Sequence, residues 1–250
     1  MKISAAIITF NEERNIERCI LSLSDLADEI VVVDSFSKDR TKEICLKHGV
    51  KFIEHAFPGH IEQKNYAIQQ CSHDYVLSLD ADEALSDELK ASLFKIKNSS
   101  NPKKAYRFNR KTNYCGKWVN YSGWYPDVKI RLFHKDAGAW GGRNPHDSYL
   151  VKDSKDLEWL KGDLLHYSYY SVEEHLKQAQ KFANIAAQAM YERGEKSNQF
   201  LVWIKPIAKF IRNYILKLGF LDGAVGWKIC TISAKATYWR YAQLLTLQKS

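Results

Sequence analysis

The sequence has no glycine-rich phosphate loop. Neither G-x-G-x-x-G nor G-x-x-x-x-G-K-[ST] occurs in it. That argues against a Rossmann dehydrogenase or a P-loop enzyme, both of which cradle phosphates with that backbone. Its cysteines (Cys19, Cys45, Cys71, Cys115 and Cys230) are five in number and none pair as CxxC. This disfavours a disulfide scaffold or a zinc site and suits a reducing compartment. No uncharged apolar run is long enough to span a bilayer. Residues 1 to 10 are apolar with one lysine, are cut short by Asn11-Glu12-Glu13, and lack a small-residue cleavage site. They read as a first strand and not as a signal peptide. The last fifty residues have a single acid. Residues 201 to 250 carry eight Lys or Arg and one acid, Asp222, so 8 − 1 = +7 of the net +8 lies there. Repeats and low-complexity segments are absent.

At 250 residues and 45% hydrophobic composition, the chain can bury a full core as one domain, or as one domain plus an appendage. Strand and helix patterns alternate through the first hundred residues. Strands are expected at 3 to 9, 29 to 34, 51 to 54 and 75 to 80. Helices are expected at 42 to 48, 60 to 71 and 86 to 98, with Ser86 as a cap and Asn11 capping an earlier helix. Such alternation implies an α/β fold with a mostly parallel central sheet. From 102 to 163 aromatics and glycines become dense, with strands expected at 105 to 109 and 128 to 133. Ser171-Val-Glu-Glu174 is a capping box opening a long helix. Two further helices follow, broken near 217 to 223.

The motif Asp80-Ala81-Asp82 closes the apolar run Tyr75-Val-Leu-Ser-Leu79, with Glu83 directly after it. Both carboxylates therefore emerge at a strand's C-terminal end, where open α/β sheets bind ligands. Two acids on a short turn suit a hard divalent cation, and such a cation suits a diphosphate. A solvated turn is the bland alternative. Asp34 closes the second strand, in Val-Val-Val-Asp-Ser, so two strands deliver acids to one edge. An acid there can accept hydrogen bonds from a base N–H or a ribose hydroxyl. The pattern reads as a metal-dependent enzyme acting on a nucleotide-activated substrate. Arg131, on an expected strand, could hold an acceptor phosphate or make a structural salt bridge. Among the aromatics, Trp124 and Trp140 are the candidate acceptor contacts, although such a cluster also builds a core.

Four motifs in order, Ile7-Ile-Thr-Phe-Asn-Glu-Glu13, Val31-Val-Val-Asp-Ser35, Lys64-Asn65-Tyr-Ala67 and Leu79-Asp-Ala-Asp-Glu83, resemble glycosyltransferase family 2. With Tyr125-Pro-Asp-Val-Lys-Ile-Arg-Leu-Phe133 and Gly219-Phe-Leu-Asp-Gly223, the chain is similar to bacterial lipopolysaccharide core glucosyltransferases of the WaaE type. The resemblance implies a GT-A fold, inversion at the anomeric carbon, and a Mn²⁺ or Mg²⁺ ion. It also implies roles. Thr9, Phe10, Asn11 and Glu12 would line the nucleoside pocket, Asp34 would bind uracil or ribose, and Lys64 would approach the base or diphosphate. Asp80 and the adjoining Ala81 would meet the nucleotide sugar, with Asp80 touching ribose and metal. Asp82 would ligate the metal. An inverting transfer needs a base within reach of the acceptor hydroxyl. Asp147 in Asn144-Pro-His146-Asp147 is the candidate, His146 could orient it or ligate metal, and Asp127 is the other candidate. His166 could complete the metal site or be a core histidine.

The tail interleaves Trp203, Ile204, Ile207, Phe210, Ile211, Tyr214, Ile215 and Leu218 with Lys205, Lys209, Arg212 and Lys217. This suits a helix on an anionic membrane surface; packing on the enzyme body or on another subunit is the alternative. No nucleic-acid motif accompanies the charge. The expected organisation is a catalytic domain over 1–168, with a nucleotide-sugar half (1–100) and an acceptor half (101–168), followed by a basic helical region over 169–250. The expected activity is transfer of a hexose, glucose from UDP-glucose, to a lipid-linked saccharide such as the lipopolysaccharide inner core. The place of action would be the inner face of the cytoplasmic membrane, and a homo-oligomer is compatible. Alternatives are transfer to another surface polysaccharide or glycolipid, a nucleotidyltransferase, or a non-catalytic nucleotide- or membrane-binding module.

Overall fold

The computed structural model describes residues 1–143 and 146–249, leaving out the side chains of Arg143 and His146. In chain order the elements are β1 (Ile3–Thr9), α1 (Ile16–Leu23), β2 (Glu29–Asp34), α2 (Thr41–Lys47), β3 (Lys51–Glu54), α3 (His60–Gln69), β4 (Tyr75–Asp80), β5 (Glu83–Leu85) and α4 (Asp87–Lys97). Then come β6 (Ala105–Tyr114), β7 (Lys117–Trp118), β8 (Asp127–His134), β9 (Gly138–Arg143), β10 (His146–Val151), β11 (Leu157–Tyr169), α5 (Val172–Glu192), α6 (Gln199–Ile211) and α7 (Gly223–Leu247). A π-helical turn, Arg212–Leu216, continues α6, and a 3₁₀ turn, Gly219–Asp222, leads into α7.

The main sheet runs β3-β2-β1-β4-β8-β6-β11-β5, with β7 on β6. Its first four strands are parallel, and β8 and β6 continue it antiparallel. This is the expected mixed α/β architecture, with a parallel nucleus and C-terminal helices. Alternating side chains divide the core as a pleated strand requires. Ile3, Ala5 and Ile7 of β1 and Val32 of β2 join Ile16, Cys19, Ile20 and Leu23 of α1 and Leu89 and Leu93 of α4. Ala6, Val31 and Val33 face the other way, with Ala67 of α3 and with Trp140 and Tyr149 of the β9–β10 hairpin. Both faces of the parallel strands are thus covered, which explains their unbroken apolar runs. Gly162, at φ +96°, lets β11 run against the start of α4, where a Cβ would stand 2.2 Å from the Leu89 nitrogen.

Two compact units emerge: Met1–Arg110 with Asp127–Tyr167, and Lys111–Pro126 with Ser168–Ser250. The segment Lys111–Pro126, expected in the acceptor half, therefore groups with the C-terminal helices. In that second unit Tyr114, Val119 and Ile229 form one small core, and Ala187, Met190 and Leu244 another. Ser86 caps α4 and the Ser171–Glu174 capping box opens α5, as expected. Asn11 does not cap α1. That helix starts at Ile16, and Asn11 instead takes a left-handed φ of 54°. No described helix is long and apolar enough to cross a membrane.

Candidate active site

The parallel register aligns three polar strand ends. Thr9 pairs with Asp34 and Ile8 with Asp80, so the C-terminal ends of β1, β2 and β4 share one edge. The loops beyond them are tied together. The Asn11 N–H donates to Ser37 Oγ at 2.7 Å, and Asn11 Oδ1 accepts the Lys38 N–H at 2.8 Å. The Glu12 N–H donates to Thr41 Oγ1 at 2.9 Å. Asp34 is buried and accepts both the N–H and the hydroxyl of Ser37. Its carboxylate anchors its own loop, while each oxygen keeps a further lone pair for a ligand. The Thr9 hydroxyl is buried without a hydrogen-bond partner, and the Phe10 ring is exposed.

A charged cluster lies beside this edge. Lys64 of α3 is 3% exposed, with its Nζ 3.0 Å from Asp80 Oδ1 and 2.7 Å from Asp147 Oδ2. Arg131 of β8, equally buried, donates from Nη2 to Asp80 Oδ2 at 2.9 Å and to Glu83 Oε1 at 2.8 Å. Glu83 also accepts the Asp80 N–H, which fixes the turn. Arg110 extends the chain of charges from Glu83 Oε1 at 3.3 Å to Asp127 Oδ2 at 2.9 Å. Lys129 holds the other oxygen of Asp127 at 2.9 Å. Burial opposes charge on Asp80, yet Lys64 and Arg131 outweigh it and hold this carboxyl well below the usual carboxylate range. The Trp140 ring lies 4.5 Å from Lys64 Nζ and 5.2 Å from the Arg131 guanidinium carbon. Asn65 clamps that tryptophan's backbone, accepting its N–H and donating to its C=O. Arg131 Nε and Nη1 and Trp140 Nε1 are buried donors without partners.

On the other side of the turn, Asp82 Oδ2 sits 3.1 Å from His166 Nε2. Strand pairing sets this approach: β11 runs antiparallel to β5 with His166 opposite Glu83, and the Tyr167 N–H donates to the Asp82 carbonyl. Glu12 is pushed up to about 7, first by burial and then by the charges of Asp82, Asp39 and Asp80, against a hydrogen bond from Asn15. Acids crowd this corner. Among the described residues, no three acid, histidine or cysteine side chains could hold a metal alone. Asp82 and His166 supply two donors, an oxygen and an imidazole nitrogen. That set fits a Mn²⁺ or Mg²⁺ ion that completes its shell with ligand phosphates and water.

The family model of glycosyl transferase family 2 matches residues 4–143, which is every strand of the donor edge and the turn itself. The chain belongs to that family. An uncharacterized glycosyltransferase of Rickettsia typhi is 32% identical over 98% of this chain and 87% of its own length. The lipopolysaccharide core biosynthesis glycosyltransferase LpsC of Rhizobium meliloti is 25% identical over 97% and 94%. Among solved structures, Staphylococcus aureus TarS 1–349 in complex with UDP aligns over 100% of this chain and 92% of that one, at 16% identity and TM-score 0.47. Glucosyl-3-phosphoglycerate synthase of Mycobacterium tuberculosis, solved with Mn²⁺ and UDP-glucose, covers 46% of this chain and 44% of that one, at 25% identity and TM-score 0.37. At those scores neither structure bears on any residue below.

In this glycosyltransferase the residues expected from sequence fall into separate places. Thr9, Phe10, Asn11, Glu12, Asp34, Asp80, Ala81 and Asp82 follow the ends of β1, β2 and β4. Lys64, Asp147, Arg131 and Trp140 join Asp80 in the charged cluster. Asp127 lies at the start of β8, tied to Arg110 and Lys129. Trp124 belongs to the second unit, where its ring meets Tyr114 at 5.8 Å and His175 at 5.4 Å. The His146 side chain lies outside the described residues. Three contributors had not been assigned a role: Glu83, Arg110 and Asn65. Glu83 and Asn65 stand inside the quoted motifs, so adjacency could have flagged them. Arg110 needed the β6–β8 register, in which it faces Asp127.

Proposed function

We propose that the chain is an inverting, metal-dependent hexosyltransferase that moves glucose from UDP-glucose onto a lipid-linked saccharide such as the lipopolysaccharide inner core. The observation that carries this reading is the Lys64 ammonium held between Asp80 and Asp147, which joins the donor turn to a candidate base in one buried cluster. Asp147 takes the acceptor proton as the hydroxyl attacks the sugar carbon. It is preferred over Asp127, whose two carboxylate oxygens are occupied by Arg110 and Lys129. Asp82 and His166 would hold the cation. A bound Mn²⁺ or Mg²⁺ would stabilise negative charge on a departing diphosphate. Asp34 and the Thr9–Glu12 loop receive the nucleoside. Arg131 and Trp140 keep buried donors free for an acceptor or phosphate oxygen.

The acceptor class is supported by the name of LpsC and by the sequence resemblance. The C-terminal helices hold the enzyme at the inner face of the cytoplasmic membrane, where a lipid-linked acceptor lies; their +7 charge and outward apolar side chains support this. A thermal-shift panel of UDP-, GDP-, CMP- and dTDP-sugars with Mn²⁺ tests the donor. Stabilisation by UDP-glucose above the others is expected. No response to any of them would sink the proposal.

A further inference from the structure

Phe36 holds a left-handed backbone that its side chain disfavours. Its φ is +62°, where glycine is the residue of choice and a bulky side chain is strained. It is the apex of a tight turn that leaves β2. The Asp34 carboxylate closes that turn by accepting the Ser37 N–H at 2.7 Å and the Ser37 hydroxyl. Ser35 and Phe36 are the two residues enclosed.

The neighbouring elements over-determine this turn. The Ser35 N–H donates to the Thr9 carbonyl at 2.9 Å, and the Asn11 N–H to Ser37 Oγ at 2.7 Å. The Lys38 N–H donates to Asn11 Oδ1 at 2.8 Å. From α3, the fully buried Gln63 donates through Nε2 to Ser35 Oγ at 3.2 Å and to the His55 carbonyl at 3.3 Å. The His55 N–H in turn donates to the Asp34 carbonyl at 2.8 Å. Strain persists where the surroundings impose it, and such residues cluster at ligand clamps. The same ties set Phe10 beside Phe36. Thr9 and Asn11, on either side of Phe10, are bonded to Ser35 and Ser37, on either side of Phe36. The two side chains are 55% and 53% exposed, and among the described residues neither ring pairs with another. Adjacent rings in water gain by packing together. These two leave that gain unmade.

We propose that Phe36 is a nucleobase-binding residue: the base of the donor stacks against the Phe36 and Phe10 rings while the Asp34 carboxylate accepts a hydrogen bond from its edge. This rests on the nucleotide-sugar reading above and deepens it by naming what holds the base. A flat ring is what glycine lacks at this position, so the ring is what the strained turn retains. Stacking on an aromatic face is open to any base and to no bare phosphate. Phe36 thereby selects a nucleotide-activated donor over a sugar phosphate. A membrane contact is the competing use of an exposed ring. The place of Phe36 on the donor edge, two residues from the buried Asp34, favours the base.

Isothermal titration calorimetry of the full chain with Mn²⁺ tests this. It reads the dissociation constants of UDP and UDP-glucose, with pyrophosphate as the probe that has no base. Phe36→Gly should weaken UDP and UDP-glucose by roughly ten- to a hundredfold, the usual worth of one base–aromatic stack, and leave pyrophosphate within about twofold. Phe36→Trp should keep UDP binding, and Phe36→Leu, apolar without a flat face, should fall between tryptophan and glycine. The melting temperature of Phe36→Gly without ligand should not fall, because glycine takes this φ freely. That separates lost stacking from lost folding. Unchanged UDP binding in Phe36→Gly would overturn the inference and leave the donor reading standing. If that variant also lost flotation on phosphatidylglycerol vesicles, the ring would be a membrane contact. An equal loss of pyrophosphate would overturn the inference as well, since the turn and not the ring would have failed. A wild type that binds no nucleotide would overturn the donor reading and this inference together.

Discussion

Lys64 and Asp147, 83 residues apart in sequence, meet at 2.7 Å. The same ammonium contacts Asp80, so α3 links the end of β4 to the β9–β10 hairpin through one buried charge. Removing it would leave Asp80 with Arg131 and take from Asp147 its 2.7 Å ion-pair partner. Lys64→Met should therefore cost about 3–5 kcal/mol of stability. Adding Asp147→Asn to Lys64→Met should recover part of that loss, because one stranded charge disappears. Chemical denaturation of the four members of this cycle measures the coupling. A double variant no more stable than Lys64→Met would refute the linkage.

The two base candidates separate by substitution. Asp147→Asn should lower kcat by about 10²–10⁴-fold, the usual contribution of a positioned base. Asp127→Asn should stay within about tenfold of wild type, since its carboxylate serves Arg110 and Lys129. Initial rates of sugar transfer, read with folding checked by thermal melt, decide between them. The reverse order of effects would move the base to Asp127.

Glu12 makes a pH prediction with a definite sign. Its folded-state pKa of about 7 lies above the ordinary 4.5. Its contribution to stability is therefore whole below about pH 4.5 and is lost as pH rises through 7, where the folded protein must charge a half-buried acid among Asp82, Asp39 and Asp80. The loss is at most about 3 kcal/mol. Glu12→Gln keeps an oxygen for the Asn15 hydrogen bond and carries no charge. Its melting temperature relative to wild type should rise between pH 5 and pH 8, and be nearly level below pH 4.5. A constant difference across that range would show that Glu12 titrates normally.

The donor edge was legible because its signal is local. A β-branched or apolar run that ends in an acid, as Val31–Asp34 and Tyr75–Asp80 do, declares both a buried strand and where its last side chain emerges. The charged cluster was legible only in part, because its partners come from distant strands. Arg110 meets Asp127 through antiparallel register, and His166 meets Asp82 through the pairing of β11 with β5. The β9–β10 hairpin was not expected, since Gly138, Gly141 and Gly142 are poor strand formers. The structure shows why two of them are small. A Cβ on Gly138 would stand 2.0 Å from the Leu150 carbonyl oxygen, and one on Gly141 2.7 Å from the Leu150 side chain. The apolar spacing of α6 was visible as periodicity, but a period does not say which way a helix turns it.

Asp222 carries the final prediction. As the single acid among the last fifty residues it could be taken for a stray surface charge. Its two oxygens instead accept the Asn120 N–H at 3.0 Å, the Tyr121 N–H at 3.0 Å and the Ser122 hydroxyl at 2.9 Å. These bonds hold the 120–122 turn beside the 3₁₀ turn that precedes α7, where Gly226 allows close approach: a Cβ there would lie 1.8 Å from the Gly219 carbonyl oxygen. Asp222→Ala should thus cost about 1–3 kcal/mol by leaving these donors without their acceptor. Amide exchange should quicken at Asn120 and Tyr121 before it does in β1 or β4. Asp222→Asn, which retains one acceptor oxygen, should fall between wild type and alanine. If alanine and wild type melted together, the turn would be held by the backbone alone, and Asp222 would return to being a surface charge.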